Sequence, residues 1–339
     1  MGTEFEAARG SRPAGRLAGS AGGRPAAHEG GAGGLAPSGP GTSRALGAAV
    51  VVGEGGGQVR ALFVAALLAA LARPWPLTVL DATGFRLVFH QPPERVVSLA
   101  PSVTEVLWAV GAARQVVGVS SADDYPPEVR TRPRVGGVRV DEERLAALRP
   151  DLVVGLVSLQ ATTLLRLRGL GYRVLALESN TLEETYRAIV LLGEVTGHPE
   201  RAREVVDRMR RTESEVAAKA GRRRVRVFVQ VWDQPFITAA AGTLPDDLVR
   251  RAGGVNLFAD RKGWPQVSEE EVVARDPECV VVLGRGLDRV RRRPAWVRTA
   301  AVRRGCLAEV DPSWVVRPAP RLVLGLRALA RVLHPEAWR

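Results

Sequence analysis

The chain has 339 residues, of which 46% are hydrophobic and 25% charged, a balance typical of soluble globular proteins that excludes wholesale disorder. A chain of this length can form two modest domains, each with its own core. The net charge of +12 comes almost wholly from arginines scattered among acids, and no nucleic-acid recognition motif accompanies them. We therefore expect no nucleic-acid partner, although a cationic surface can attract anionic lipid or an anionic ligand.

The N-terminal part of the chain changes character near residue 59. Residues 1–58 are rich in Gly, Ala, Pro, Ser and Arg without periodicity, which predicts a disordered or non-native extension. Arg60 then precedes an unbroken apolar run that ends at Ala72, the pattern of a secretory signal peptide at residues 59–72. The run is too short to span a membrane. We expect translation to start near Val59 and the product to be exported to the periplasm or another extracytoplasmic space.

Residues 77–180 are predicted to form an N-terminal α/β lobe, because strand-like and helix-like segments alternate along them. Two short strands surround a turn at Gly84, and a buried-type strand follows at residues 95–99. Ser102 and Glu105 then have capping-box spacing, which predicts Ser102 as the N-cap of a helix that stops at Gly111.

Two distant stretches of the sequence follow one plan, at a constant offset of 127 residues. Residues 141–156 read DEERLAALRPDLVVGL, and residues 268–283 read SEEEVVARDPECVVVL. Each predicts an N-cap, an acidic first turn, a short amphipathic helix, a proline stop and a buried strand. We interpret the repeat as two homologous lobes, the second at residues 222–339.

Residues 181–221 are predicted to link the lobes by helices. Thr181 caps a helical stretch that runs to Gly197, and a second helix of about 22 residues follows from Pro199. This second helix has a narrow apolar stripe and charged outer positions, which suits a stiff spine. The fold class is therefore α/β, with two similar lobes, each a mostly parallel sheet flanked by helices, joined by one long rigid helix around a ligand cleft. We expect no large hinge closure.

Cys279 and Cys306 have no metal-ligand spacing. Two interpretations stay open: an extracytoplasmic disulfide within the second lobe, or two buried free thiols, which is the simpler of the two.

Candidate binding residues lie on loops that follow predicted strands, because two-lobed α/β proteins bind ligands beyond the carboxyl ends of their strands. Several aromatic side chains and one arginine on these loops suit a large, flat ligand that bears amide or acid groups, with local packing as the alternative for each aromatic. The candidates are Ser102, Tyr125, Trp232, Phe236, Trp264, Trp314 and Arg317.

Catalytic and metal-binding motifs are absent from the sequence. The histidines are isolated, and there is no nucleophile elbow, P-loop or dinucleotide glycine pattern. We expect no enzymatic activity, no resident cofactor and no metal site. The alternative from another class is a secreted two-domain α/β enzyme that uses Asp123, Asp124 or Asp233.

Several motifs together resemble the helical-backbone substrate-binding proteins of ABC importers, which bind cobalamin, haem or iron–siderophores. They are RVVSLAPSVTE at residues 95–105, GVSSADDYPP at 118–127, PDLVV at 150–154, and WPQVS at 264–268 with the late run from Trp314 to Arg321. The resemblance implies a monomer without catalytic activity that takes a small molecule between its lobes. It also implies docking on an ABC permease dimer and its ATPase through Glu143 and Glu270, each of which is otherwise simply a first-turn glutamate favoured by the helix dipole.

The resemblance is closest to the cobalamin-binding members, so we expect cobalamin or a related corrinoid as ligand, with an iron–siderophore or haem as the alternative. The sequence departs from that pattern where further aromatic residues would lie in the first lobe. It has Gly137-Val-Arg139 and Gly155-Leu-Val157 there, and Ser313 in place of an aspartate. The expected pocket is therefore less aromatic.

Overall fold

A computed structural model describes residues 75–221 and 223–339, which belong to one compact unit. The predicted extension at residues 1–58 and the predicted signal peptide at 59–72 lie outside the described residues. In the described part of the chain no helix is both long and apolar enough to cross a membrane.

Strands form at short runs rich in valine and leucine. Helices lie between most of these strands along the chain. The strands are β1 Leu77–Leu80, β2 Arg86–Phe89, β3 Val96–Ser98, β4 Val116–Gly118, β5 Leu152–Leu156, β6 Val174–Leu177, β7 Val225–Trp232, β8 Ile237–Thr238, β9 Gly254–Asn256, β10 Cys279–Leu283 and β11 Leu307–Val310. The α-helices are α1 Pro101–Ala109, α2 Glu142–Ala147, α3 Val157–Gly169, α4 Leu182–Val195, α5 Pro199–Lys219, α6 Leu244–Arg251, α7 Glu269–Ala274, α8 Leu287–Arg292, α9 Ala300–Arg304 and α10 Leu322–Leu333. Single 3₁₀ turns lie at Pro127–Thr131, Pro294–Arg298, Pro312–Trp314 and Pro335–Trp338.

Two parallel sheets with the same strand order form the centres of the two lobes. The first has the order β4-β3-β5-β6, and all its pairs are parallel. The second has the order β9-β7-β10-β11, also parallel, with the short β8 antiparallel to β7. The predicted α/β fold with two similar lobes is therefore confirmed, and β1 and β2 form a separate antiparallel hairpin.

The repeat read from the sequence extends to individual hydrogen bonds. Asp141 caps α2 by accepting the Arg144 N–H at 3.0 Å, and Ser268 caps α7 by accepting the Glu271 N–H at 3.1 Å. The bounds of α2 and β5 differ from those of α7 and β10 by 127 residues throughout. The sequence pattern therefore predicted the local structure of both copies correctly.

The turn between helix and strand also has the same backbone conformation in both copies of the repeat. Arg149 and Asp276, again 127 residues apart, have left-handed φ angles of 43° and 44°. The next acid of each copy then accepts a backbone N–H from the neighbouring strand region: Asp151 from Arg95 at 3.0 Å, and Glu278 from Arg226 at 3.0 Å. These bonds fasten the amino ends of the central strands.

The hydrophobic core follows from the alternation of side chains along the strands. In the first sheet Val96 and Val154 face a large cluster that also contains α4 and α5, whereas Val97 and Val153 face a smaller outer cluster. In the second sheet Val227 and Val281 face that same large cluster, and Phe228 and Val280 face outward. One continuous core therefore packs both sheets against the helical linker.

Helix α5 is the long helix that the sequence predicts, and it contacts helices of both lobes. Its apolar stripe is buried, comprising Ala202, Val205, Val206, Met209 and Val216, while Ala217, which follows Val216, is exposed. Near its end Glu215 accepts a 2.7 Å bond from Arg327 of α10, and Glu213 accepts one of 2.9 Å from Tyr186 of α4.

The predicted cap of α1 is wrong. The helix begins at Pro101 with Ala100 in the N-cap position, and no side chain caps it. Proline suits the first helical position because it lacks the N–H that would need a partner there. Ser102 therefore lies inside the first turn, and Glu105 is not part of a capping box.

A disulfide joins Cys279 and Cys306, so the interpretation as free thiols is wrong. Cys279 begins β10, and Cys306 directly precedes its parallel neighbour β11, so the register places their Cα atoms 4.8 Å apart. That separation is within the range that a disulfide spans.

Removing this disulfide is expected to lower the free energy of unfolding by about 3 kcal/mol, because it closes a loop of 27 residues in the unfolded chain. The double variant Cys279→Ala/Cys306→Ala and the wild type should be compared by urea denaturation under oxidising conditions. A reducing agent should lower the stability of the wild type and leave that of the variant unchanged. Equal stabilities of the two oxidised proteins would contradict the prediction.

Candidate functional site

The carboxyl ends of the parallel strands open toward the cleft in both lobes. In the first lobe, β3 leads into α1 and β4 leads into the loop that contains Asp123, Asp124 and Tyr125. In the second lobe, β7 leads into a turn at residues 233–236, and β11 leads into the segment that contains Arg317 and Arg321. The candidate site is formed by these connections.

Charged side chains of the two lobes meet directly across the cleft. Glu105 of α1 accepts a bond from Arg321 Nε at 2.8 Å and a second at 2.5 Å from the same guanidinium. Arg317 lies 3.6 Å from Glu105 and donates to Asp124 at 2.5 Å. We call Glu105, Asp124, Tyr125, Arg317 and Arg321 the inter-lobe cluster.

Tyr125 is the aromatic member of the inter-lobe cluster. The Arg321 guanidinium lies over its ring, 4.0 Å from the centroid, which is a favourable cation–π distance. Tyr125 nevertheless remains 42% exposed. The ring therefore keeps part of its surface open for a ligand while an arginine of the opposite lobe holds it in place.

Burial and neighbouring charges shift the pKa values of Asp124 and Arg321 in the inter-lobe cluster. Burial raises the pKa of Asp124, but the hydrogen bond and charge of Arg317 and the charge of Arg321 outweigh it and hold the pKa below its usual range. The hydrogen bond to Glu105 raises the pKa of Arg321. Since Glu105 is only 3% exposed, its carboxylate depends on the two arginines for compensation.

The pKa of Asp123, the neighbour of Asp124, is shifted in the opposite direction. It is 4% exposed, and burial raises the pKa of its carboxyl, an effect that the nearby hydroxyls of Ser120 and Thr104 and the charge of Arg134 offset only in part. The main chain of its loop is fastened by Arg134, which donates to the carbonyl oxygens of Ser120 and Asp123, both at 2.8 Å.

Asp123→Asn is expected to stabilise the protein at pH 7 by on the order of 1 kcal/mol, because the neutral amide avoids the cost of a buried charge. A raised pKa in the folded state means that stability is fully present below the ordinary pKa and is lost as the pH rises through the raised value. Denaturation from pH 3.5 to 7 should therefore show a decline in the wild type that the variant lacks. Asp207→Asn, an exposed change on α5, is the control, and parallel curves for all three proteins would refute the assignment.

The predicted aromatic residues of the second lobe lie in different surroundings. Trp264 is 38% exposed on a loop that is bound to β8, where the Thr238 N–H donates to the Pro265 carbonyl at 3.1 Å. Trp232 ends β7 and donates through Nε1 to the Gln234 carbonyl at 2.9 Å. Trp314 is half-buried in a 3₁₀ turn beside α10.

Phe236 packs into the outer core of the second lobe. Its ring centroid is 5.5 Å from that of Phe228 and 6.3 Å from that of Trp296, and the Arg293 guanidinium covers it at 4.8 Å. Ser102 is buried within the first turn of α1. Of the predicted binding residues, the structure brings Tyr125 and Arg317 into one cluster.

Three residues that connect the lobes or the strand ends were not predicted as site residues: Glu105, Arg321 and Gln160. Gln160 donates to the Leu99 carbonyl at 2.7 Å and accepts the Leu156 N–H at 3.1 Å, so it joins the ends of β3 and β5. A usable signal existed for Glu105, which is the only charged residue of the buried helix α1.

The two predicted docking residues occupy equivalent and exposed positions. Glu143 and Glu270 lie in the first turns of α2 and α7, and neither forms an ion pair with any described residue. Their acidic neighbours differ in this respect: Glu142 pairs with Arg166 at 2.6 Å, and Glu269 pairs with Arg293 at 2.9 Å. Each first turn therefore presents one glutamate outward.

The acids on which the alternative enzyme would depend form ion pairs or are buried. Asp233 binds Arg289 at 2.7 Å and also contacts Arg293, while Asp124 is held by Arg317. Among residues 75–221 and 223–339, no group of three potential ligands could hold a metal ion. The site as arranged can bind through ionic, hydrogen-bonding and ring contacts.

The fold and cleft define a two-lobed binding protein, and comparison with known proteins agrees. Residues 96–313 match the periplasmic binding protein family, and the chain belongs to that family. The family consists of substrate-binding proteins for transport, not of enzymes. The chain is therefore a substrate-binding protein of the ABC-transporter type.

The alignments of this chain with two curated relatives span most of the length of each relative. The uncharacterized ABC transporter substrate-binding lipoprotein YvrC of Bacillus subtilis is 30% identical over 78% of this chain and 88% of its own. The vitamin B12-binding protein of Salmonella typhimurium is 31% identical over 70% of this chain and 90% of its own.

Solved structures of binding proteins named for different ligands have the same fold. The periplasmic vitamin B12-binding protein of Vibrio cholerae has a TM-score of 0.67 at 29% identity and covers 73% of this chain and 99% of its own. A periplasmic haem-binding protein of Pseudomonas aeruginosa has a TM-score of 0.63 at 30% identity and covers 72% and 93%.

Proposed function

We propose that this protein is exported by a signal peptide at residues 59–72, captures cobalamin or a related corrinoid outside the cytoplasm, and delivers it to an ABC permease dimer. The proposed lobes are residues 77–180 and 222–339, with residues 181–221 as the helical linker. The protein acts as a monomer and carries out no chemistry on its ligand.

The inter-lobe cluster is the observation on which the ligand proposal depends. It combines a partly exposed tyrosine ring, two arginines and two carboxylates at the meeting point of the lobes. A flat ring system can lie against Tyr125, and peripheral amide or phosphate groups can take the place of Asp124 at Arg317. Corrinoids combine such a ring with such groups, and vitamin B12-binding proteins are among the relatives.

An iron–siderophore or haem is the alternative ligand for the same role. Haem-binding proteins share the fold at similar identity, and the first lobe has glycines at 137 and 155 where the cobalamin pattern leads us to expect aromatic side chains. An added side chain at Gly155 would lie 2.7 Å from both Gln160 and Leu164, so that position is filled by the protein itself. The proposed pocket therefore depends on Tyr125, Trp264, Trp314 and Arg317 for its ring and polar contacts.

We further propose that Glu143 and Glu270 dock the protein on the permease. A two-fold permease presents the same surface twice, and two equivalent exposed glutamates on homologous lobes match that symmetry. Exposed carboxylates that form no ion pair with the described residues are available to arginines of the permease.

Isothermal titration of the purified protein with cyanocobalamin, cobinamide, haemin and a ferric siderophore tests the ligand proposal. We expect saturable binding of one equivalent of a corrinoid, with weaker or no binding of haemin and the siderophore. Tight binding of haemin or the siderophore alone would contradict a corrinoid as the ligand, but it would agree with the proposed transport role. Binding of none of the four would refute the ligand class.

Trp264→Ala is expected to weaken corrinoid binding about tenfold, because one ring contact is worth about 1.5 kcal/mol. Trp338→Ala is the matched control, since Trp338 lies at the C-terminus with Lys219 over its ring at 4.1 Å. The titration should show the affinity loss only for the first variant. Equal affinities of both variants and the wild type would remove Trp264 from the proposed pocket.

A further inference from the structure

The segment Arg285–Arg298 carries a concentration of positive charge on the second lobe. It contains six arginines and one aspartate in fourteen residues. It comprises the turn after β10, helix α8 and the 3₁₀ turn Pro294–Arg298. We call it the arginine segment.

The arginine segment lies beside the proposed docking helix α7. Arg293 binds Glu269 in the first turn of α7 at 2.9 Å and also contacts Asp233, which directly follows β7. The segment therefore belongs to the rim of the second lobe that carries Glu270. If Glu270 meets a permease, this rim faces the membrane in which the permease lies.

Neighbouring acids engage only part of the positive charge. Arg289 and Arg293 bind Asp233, and Arg291 lies 3.9 Å from Asp288. Three others are exposed and form no salt bridge with any residue that the structure describes; they are Arg285, Arg292 and Arg298. Arg285 lies close enough to Glu309 for its charge to lower the pKa of that carboxyl.

An exposed apolar tip lies among these arginines. Val297 is 56% exposed, next to Arg298, and Pro294 and Ala295 between the two arginine groups are exposed as well. Apolar side chains flanked by cations are typical of surfaces that rest on lipid headgroups, where the cations meet phosphates and the apolar group enters the interface. An acidic protein surface would pair with the arginines but would leave Val297 without an apolar environment.

We infer that the arginine segment is a contact site for the anionic phospholipid headgroups of the membrane. Guanidinium groups form paired hydrogen bonds to phosphate, and several spaced arginines suit a surface of mobile headgroups. The contact would concentrate the protein at the membrane and orient α7 toward the permease. This orientation rests on the proposed function, whereas the lipid contact itself does not need a permease.

Flotation with vesicles tests the inference. The wild-type protein is mixed with vesicles of phosphatidylcholine alone or with an added third of phosphatidylglycerol, in 50 mM salt. We expect binding only to the anionic vesicles, and its loss at 0.5 M salt because exposed charges are then screened. The variant Arg285→Gln/Arg292→Gln/Arg298→Gln should bind on the order of a hundredfold more weakly, since each basic residue near such a surface contributes about fivefold.

The matched control removes the same charge from other faces. Arg114→Gln/Arg130→Gln/Arg211→Gln changes three exposed arginines that also lack salt bridges with described residues, so its net charge equals that of the test variant. It should retain most of the vesicle binding. Equal losses in both variants would show that net charge alone attracts the protein, and no binding of the wild type to anionic vesicles would also overturn the inference.

If vesicle binding is absent but the test variant loses affinity for the permease, the segment contacts protein instead. Ligand titration of both variants should be unchanged, which separates this test from the proposed ligand site.

Discussion

Reversing the charges of Glu143 and Glu270 together is expected to abolish uptake of the ligand while leaving its affinity for the protein unchanged. Both side chains are exposed, have no ion-pair partner among the described residues, and occupy equivalent first turns of α2 and α7. A lysine at each position would place like charges against permease arginines, and losing a close charge pair at an interface costs about 2–5 kcal/mol. The double variant Glu143→Lys/Glu270→Lys should therefore bind the permease at least about a hundredfold more weakly.

Uptake by cells and ligand titration of the purified variant are the two measurements. The control is Glu94→Lys/Asp207→Lys, which makes the same change of net charge at two exposed acids that form no ion pair with described residues. Each single reversal should give an intermediate loss because one docking contact remains. Normal uptake by the double variant would show that the protein docks through other residues.

Replacing Arg321 with methionine is expected to lower the free energy of unfolding by about 3 kcal/mol, because it leaves the buried Glu105 carboxylate without its main partner. Arg317, at 3.6 Å, is too distant for a short hydrogen bond to that carboxylate. The same change uncovers the ring of Tyr125, so ligand affinity should fall as well.

A double-mutant cycle with Glu105→Gln separates the pair from other effects. The double variant Glu105→Gln/Arg321→Met should be more stable than Arg321→Met alone, because no unpaired buried charge remains. Arg327→Met, which breaks a half-exposed pair with Glu215, is the control and should cost at most about 1 kcal/mol. Additive effects in the cycle, measured by urea denaturation, would contradict the proposed coupling across the cleft.

The local structure was predictable wherever the signal lies within a short stretch of sequence. The caps at Asp141 and Ser268, the proline stops and the valine runs each act over a few residues, so the two copies of the repeat could be aligned and the two-lobed fold inferred. The long helix α5 was predictable for the same reason, since its apolar spacing is a local property. At Ser102 two local signals competed, and proline at the first helical position prevailed.

Contacts between distant parts of the chain were not predictable in this way. Glu105 and Arg321 are 216 residues apart, and only the arrangement of the lobes brings them together. The disulfide depends on the register of β10 and β11, which the spacing of two cysteines does not specify. The ligand stays a proposal for a related reason, because binding proteins for vitamin B12 and for haem share this fold.

Native mass spectrometry of the protein with cyanocobalamin tests the central claim most directly. We expect one complex, with the mass of the chain plus one ligand, that releases the ligand with its mass unchanged. Occupancy should fall for Trp264→Ala and remain normal for the docking variant Glu143→Lys/Glu270→Lys. Absence of any complex with cyanocobalamin, or release of a ligand of altered mass, would contradict a corrinoid-binding transport protein.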